Sequence, residues 1–319
     1  MAAACQDEAD KVRGTAGGSV PHTAQQGVLP LRPLTVGELL DAAVALLRTR
    51  GGVLLGLGTV VAAIEQAVLF PLRRLADVDR LYWPADDRWA VWAALVAVGI
   101  ATEAFAIAVL GAPAAAAAPR ALLGRAAPRR EPAGRIAAAT AVVATVVAGV
   151  CGLVALTMYA WPATFFLVSW VTVLLWAWAY GVLGLSVPAV VIDRLGPLRA
   201  IRRSVVLSSR GAMRTLRVRV LAYLGWFFIR LAWGIGLLSA IGLIYTAPDT
   251  TMDNVLMAVV YLMVNLLAYP MLACLDAVLH LEARMRTEGL DIALRRDVQR
   301  GVDTGLTLAP AAPDRGAAR

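Results

Sequence analysis

Four ionisable residues sit inside otherwise apolar runs: Glu65, Glu103, Arg230 and Asp276, with Gln66 and Asn265 as polar companions. A charge at the centre of a spanning helix costs about 2.5–3.5 kcal/mol on insertion scales, so such a group pairs, lines a polar pathway or snorkels toward the surface. At 1.5 Å of rise per residue, Arg230 lies about 15 Å from the inner end of its run, Glu103 about 14–22 Å and Asp276 about 7 Å. Arg230 is flanked by Phe227, Phe228, Ile229, Leu231 and Trp233, so its own helix offers no partner. It is expected to face the bundle and pair with an acid. Glu103 is the better match by depth, and Asp276 is the alternative. Three readings of these charges stand side by side: a structural ion pair, a polar pathway for a substrate or proton, and snorkelling.

The second chemical feature is the segment 193–219, with eight arginines and one acid. At 100° per residue, Leu198, Ile201, Val205, Ala212 and Leu216 share one side, and Arg199, Arg203, Arg210, Arg214 and Arg217 share another. Such a basic amphipathic surface suits anionic headgroups, each arginine contributing about 1 kcal/mol near the membrane. It equally suits a plain topology signal. Gly211 is placed to split the segment into two helices.

Signatures of catalysis are missing. There is no GxSxG, HExxH, Walker loop or dinucleotide fingerprint. Cys5, Cys151 and Cys274 form no CxxC pair, and no His/Cys cluster has metal-ligand spacing. Cys151 and Cys274 lie in apolar runs, where buried free thiols are expected. His22 falls in the N-terminal tail, and His280 is expected to be solvated at the end of the last span. No cofactor, no metal and no catalysis are expected. The net charge of +8 does not point to nucleic acid, because no recognition motif accompanies it. Nearly all the basic residues are arginines outside the apolar runs, in the connections and terminal segments, Lys11 being the single lysine.

These residues need an apolar scaffold to hold them. The 319-residue chain is 60% hydrophobic and 16% charged. Ordinary soluble domains carry about 25% charged residues. That excludes a soluble enzyme and a disordered chain, and it makes lipid the solvent. Six runs reach the roughly 20 residues that a spanning helix needs: 51–72, 89–118, 136–160, 161–192, 220–246 and 254–281. A tight hairpin at Trp161-Pro162 separates the third from the fourth. Ahead of them, Thr35 and Glu38 have capping-box spacing and open an amphipathic helix over 35–48. That helix is expected to lie along the membrane interface or to pack on the protein's own loops. Residues 1–29 and 301–319 read as disordered tails around a membrane domain over 30–300. Of the basic residues outside Arg230, four fall between Arg73 and Arg88 and the rest lie in the alternate connections and tails. The positive-inside rule then puts both termini in the cytoplasm.

Three segments resemble a known family. Leu31 to Ala42 (LRPLTVGELLDA) resembles its opening LRPLxxGExLDxA. Val187 to Ser204 (VPAVVIDRLGPLRAIRRS) resembles its central VPAxVxExxGPxxAxxRS, with Asp193 standing where the family has Glu. Asp276, with Arg284 to Asp291 (RMRTEGLD), resembles its ending DxRxRxEGxD. The group is an actinobacterial membrane-protein family similar to the membrane domain of some glycerophosphoryl diester phosphodiesterases. The resemblance covers about 30–300 and implies no chemistry for this chain, since the catalytic barrel of those enzymes is a separate domain of about 200–250 residues.

The expectation is therefore an all-α integral membrane bundle in a bacterial cell membrane. It would act without catalysis, through unknown protein partners or anionic lipids on the cytoplasmic side, as a membrane scaffold. The alternative is a transporter or export component that uses the intramembrane charges Glu65, Glu103, Arg230 and Asp276.

Overall fold

The computed structural model describes residues 32–78, 88–123, 133–159, 165–210, 213–244 and 250–300. The expected tails, the Trp161-Pro162 hairpin and most of the connection between the first two spans lie outside them. The described chain is all α. Its helices are α1 (Val36–Thr49), α2 (Gly51–Ala76), α3 (Trp89–Leu123), α4 (Ala133–Tyr159), α5 (Phe165–Leu183), α6 (Ser186–Val191), α7 (Pro197–Arg210), α8 (Arg214–Ile244), α9 (Thr250–Glu288) and α10 (Leu290–Arg300). Among the described residues, six helical stretches are long and apolar enough to cross a bilayer: α2, α3, α4, α5 with α6, α8 and α9. The chain is a polytopic membrane bundle.

α1 starts where its cap dictates. The Thr35 hydroxyl accepts from the Glu38 N–H at 3.3 Å, and the Glu38 carboxylate accepts from the Thr35 N–H at 2.8 Å. That backbone bond, together with Arg32, lowers the Glu38 carboxyl to about 2. Leu39, Ala42, Ala43, Leu46 and Leu47 are buried, so α1 is packed on the bundle. Val36 and Leu40, from the stripe read in the sequence, stay exposed.

The helices outrun the hydropathy limits. α9 reaches Glu288 rather than residue 281, and Leu281, Glu282, Ala283, Arg284 and Met285 are all buried. Hydropathy registers contact with lipid, whereas these turns are covered by protein. Gly289, with φ +66°, separates α9 from α10. α8 likewise begins at Arg214, inside the basic segment 193–219, after Met213 at φ +58°.

The run 161–192 is not one helix. α5 stops at Leu183, and α6 resumes at Ser186. Pro188 has no N–H to give the carbonyl four residues back, which is that of Gly184, and glycine itself favours helix weakly. α7 packs against this break with a face of small residues, Ala200, Ser204 and Ser208, beside Leu207. Ser204 Oγ donates to the Val182 carbonyl at 2.5 Å, an acceptor that the break takes out of the helical ladder.

Small residues bring the spans together. A Cβ on Gly58 of α2 would stand 2.7 Å from Pro270 Cγ of α9, and one on Gly152 of α4 would stand 2.8 Å from Ala101 Cβ of α3. Backbones can approach this closely only where side chains are absent or minimal.

Candidate functional site

α9 carries Asn265, Tyr269, Asp276, His280, Arg284 and Glu288 at spacings of four and seven, so they share one face. At 1.5 Å per residue that face is a polar column about 34 Å long. Its upper part is built around two carboxylates. Glu65 of α2 accepts from Tyr269 Oη at 2.7 and 2.6 Å, from Asn265 Nδ2 at 3.0 Å and from Thr102 Oγ1 of α3 at 3.4 Å. The next residue on α3, Glu103, turns to α8. It accepts from Arg230 Nη1 at 2.9 Å and Nη2 at 2.7 Å, and from Tyr223 Oη at 3.1 Å. The two parallel bonds between Arg230 and Glu103 are the strong bidentate form of an arginine–carboxylate pair. The partner chosen by depth is the one observed.

Asp276 is taken by a different arginine. Arg219 Nε and Nη2 donate to its two oxygens at 2.6 and 3.0 Å. The guanidinium carbon lies 3.7 Å from the centroid of the Tyr180 ring, within cation–π range. Tyr180 stacks on Trp176 at 5.3 Å, and Tyr223 lies 4.9 Å from Tyr180, which joins this layer to the Glu103 layer. Gly184, at the α5–α6 break, makes room: a Cβ there would overlap the Arg219 guanidinium. The hydropathy limits leave Arg219 just outside the run that starts at residue 220, although it stands three helical turns before Arg230 with Tyr223 between them on the same face. That spacing was the signal available in the sequence.

At the arginine-rich end, Asp193 forms a hub. His280 Nε2 lies 3.1 Å from Oδ1, Arg284 Nη1 donates to Oδ1 at 2.9 Å, and Arg203 Nε donates to Oδ2 at 3.1 Å. Burial pushes the Asp193 carboxyl up, but His280, Arg284 and Arg203 together outweigh it and hold it at about 2. Glu288 bridges Arg203 and Arg284. Arg214 lies 3.3 Å from Glu282, and Arg286 also pairs with Glu282. Arg214 and Arg286 both donate to the Leu34 carbonyl, which pins the start of α1 to α8 and α9. His280 is fully buried and is not the solvated interfacial residue the sequence implied. The covering turns of α9 and the Asp193 loop account for the difference.

The arginines expected to meet headgroups divide. Arg203 and Arg214 turn into the ion-pair network. Arg199, Arg210 and Arg217 are exposed, as is Arg202. Leu198 and Val205 are also exposed, so the apolar side of α7 faces outward while its small-residue side meets the protein.

At the other end of the bundle, Arg73 is 1% exposed, and its Nη1 donates to Gln66 Oε1 at 2.8 Å. Its Nε and Nη2 have no hydrogen-bond partner among the described residues. Cys151 and Cys274 are buried free thiols. Among the described residues, no group of three or more His, Cys, Asp or Glu side chains is arranged to hold a metal ion. No family model, no curated protein and no solved structure matches the chain.

Proposed function

We propose that the chain is a non-catalytic polytopic protein of a bacterial cell membrane. It acts with both termini in the cytoplasm, through anionic lipids and protein partners gathered at its arginine-rich end. One observation carries this reading. The acids and arginines at the centre of the bundle bind one another, while α7 exposes Arg199, Arg202 and Arg210 alongside Leu198 and Val205. An outward face of that composition fits the junction between acyl chains and negative headgroups. The likeness of three sequence segments to the membrane domain of glycerophosphoryl diester phosphodiesterases is compatible with this role and supplies no chemistry.

The test extracts the full chain in polymer nanodiscs and compares its lipid shell with the bulk membrane. Enrichment of anionic lipid in the shell is expected, together with its reduction when Arg199, Arg202 and Arg210 are replaced by Gln. A shell of bulk composition around the natural chain would contradict the reading.

Transport is the second reading, favoured by the continuous polar face of α9 from Asn265 to Glu288. It requires water at Glu103. Rapid modification of Glu103→Cys by a charged thiol reagent would select it over the first.

A further inference from the structure

Beside α7, on the same end of the bundle, lies a groove of about 330 Å³ between α4 and the turn that joins α6 to α7. Its rim holds Arg135 and Arg194, and its floor is Ile136, Ala139 and Val142 of α4 with Val190 of α6. Among the described residues, none that lines it is acidic. The volume falls at the small end of the usual range for ligand sites, about 300–1,000 Å³. Arg194 adopts φ +55°, uncommon for a side-chain-bearing residue, in a turn closed by the Leu195 N–H on the Ala189 carbonyl at 3.4 Å. The turn thereby sets Arg194 on the rim facing α4.

The groove opens onto an apolar track. Val142, Val146, Val150 and Leu153 follow one another along α4 at helical spacing, and all four are exposed. From Val142 to Leu153 the track rises about 16 Å. That is close to half of a bilayer's hydrocarbon thickness of about 30 Å, the depth of one leaflet. Arg135 stands about 10 Å beyond Val142 in the opposite direction, at headgroup height.

The geometry points to a discrete binding site for one anionic phospholipid of the leaflet at the arginine-rich end. The phosphate sits between Arg135 and Arg194, the glycerol lies over Ala139 and Val190, and an acyl chain runs along Val142, Val146, Val150 and Leu153. A guanidinium pair recognises phosphate by charge-assisted hydrogen bonds, and an apolar floor of this length recognises the chain attached to it. This inference rests on the reading that this end meets anionic lipid. It goes further in assigning one stoichiometric lipid to a site separate from the exposed arginines of α7.

Native mass spectrometry of the full chain in neutral detergent, titrated with phosphatidylglycerol, tests it. Saturation at one tightly held lipid is expected. Arg135→Gln should weaken that binding about tenfold or more. Gly196→Phe should weaken it as well: Gly196 lines the groove and a Cβ added there would meet nothing within 4 Å, so the added bulk enters the open space of the site. Inorganic phosphate at millimolar concentration should not compete, because the chain contributes most of the contact. The triple α7 variant should keep the single lipid even while it loses the enriched shell, which separates this site from the broader reading. Undiminished binding in both Arg135→Gln and Gly196→Phe, or displacement of the lipid by phosphate, would overturn the assignment.

Discussion

Arg219 and Asp276 meet through two hydrogen bonds, of 2.6 and 3.0 Å, in the space left by a missing side chain at Gly184. The pair joins α8 to α9, and the glycine that admits it lies at the break between α5 and α6. A local choice that weakens one helix therefore allows an ion pair between two others. Gly184→Ala should destabilise the chain. Its Cβ would push aside a buried guanidinium held by Asp276 and the Tyr180 ring, and complete loss of that pair would cost about 3–5 kcal/mol. Thermal unfolding in detergent measures this. Gly225→Ala is the control, since a Cβ there meets nothing within 4 Å, and it should leave the midpoint nearly unchanged.

Asp193 gives a pH signature at the arginine-rich end. Its carboxyl is held at about 2, below the usual 3.8, by His280, Arg284 and Arg203 against the opposing effect of burial. A carboxyl depressed in the folded state contributes stability above its unfolded value and loses it as pH falls through the folded one. The contribution, about 2 kcal/mol, should be complete above about pH 4 and should disappear toward about pH 2. Asp193→Asn should flatten the unfolding midpoint over that interval. An unchanged acid limb in the variant would show that other carboxyls control it.

The fold class and the spanning runs were legible because lipid imposes length and apolarity on every span. So was the Arg230–Glu103 pair, because depth along two helices is arithmetic. The capping box at Thr35 and Glu38 was legible because it is local. What hydropathy could not show was protein covering protein. It ends α9 at Leu281, although Glu282 and Arg284 are buried, and it leaves Arg219 outside the span to which it belongs. The break after Leu183 was present in the sequence as Gly184 followed by Pro188, but continuous apolarity concealed it. The Asp193–His280–Arg284 hub joins residues about 90 positions apart. Only the packing of the α6–α7 turn on α9 brings them together.

Arg73 offers a contrast to the paired arginines. Among the described residues its hydrogen-bond partner is the neutral Gln66, and two of its donor nitrogens are unsatisfied there. A buried cation held only by a neutral group keeps most of its desolvation cost, which an apolar residue of similar volume does not carry. Arg73→Met should therefore leave the unfolding midpoint unchanged or raise it by a few degrees. A fall comparable to that of Gly184→Ala would mean that the guanidinium carries a stabilising interaction beyond Gln66.

The account depends most on the claim that the central charges hold the bundle together by binding one another. The direct measurement is a double-mutant cycle on Arg230 and Glu103, read by thermal unfolding of the full chain in detergent. Arg230→Met alone should cost about 3–5 kcal/mol, because it strands a buried carboxylate. Arg230→Met with Glu103→Gln should recover a large part of that loss, giving a strong coupling between the two sites. Additive losses would contradict the account, because the two residues would then act independently despite bonds of 2.7 and 2.9 Å between them.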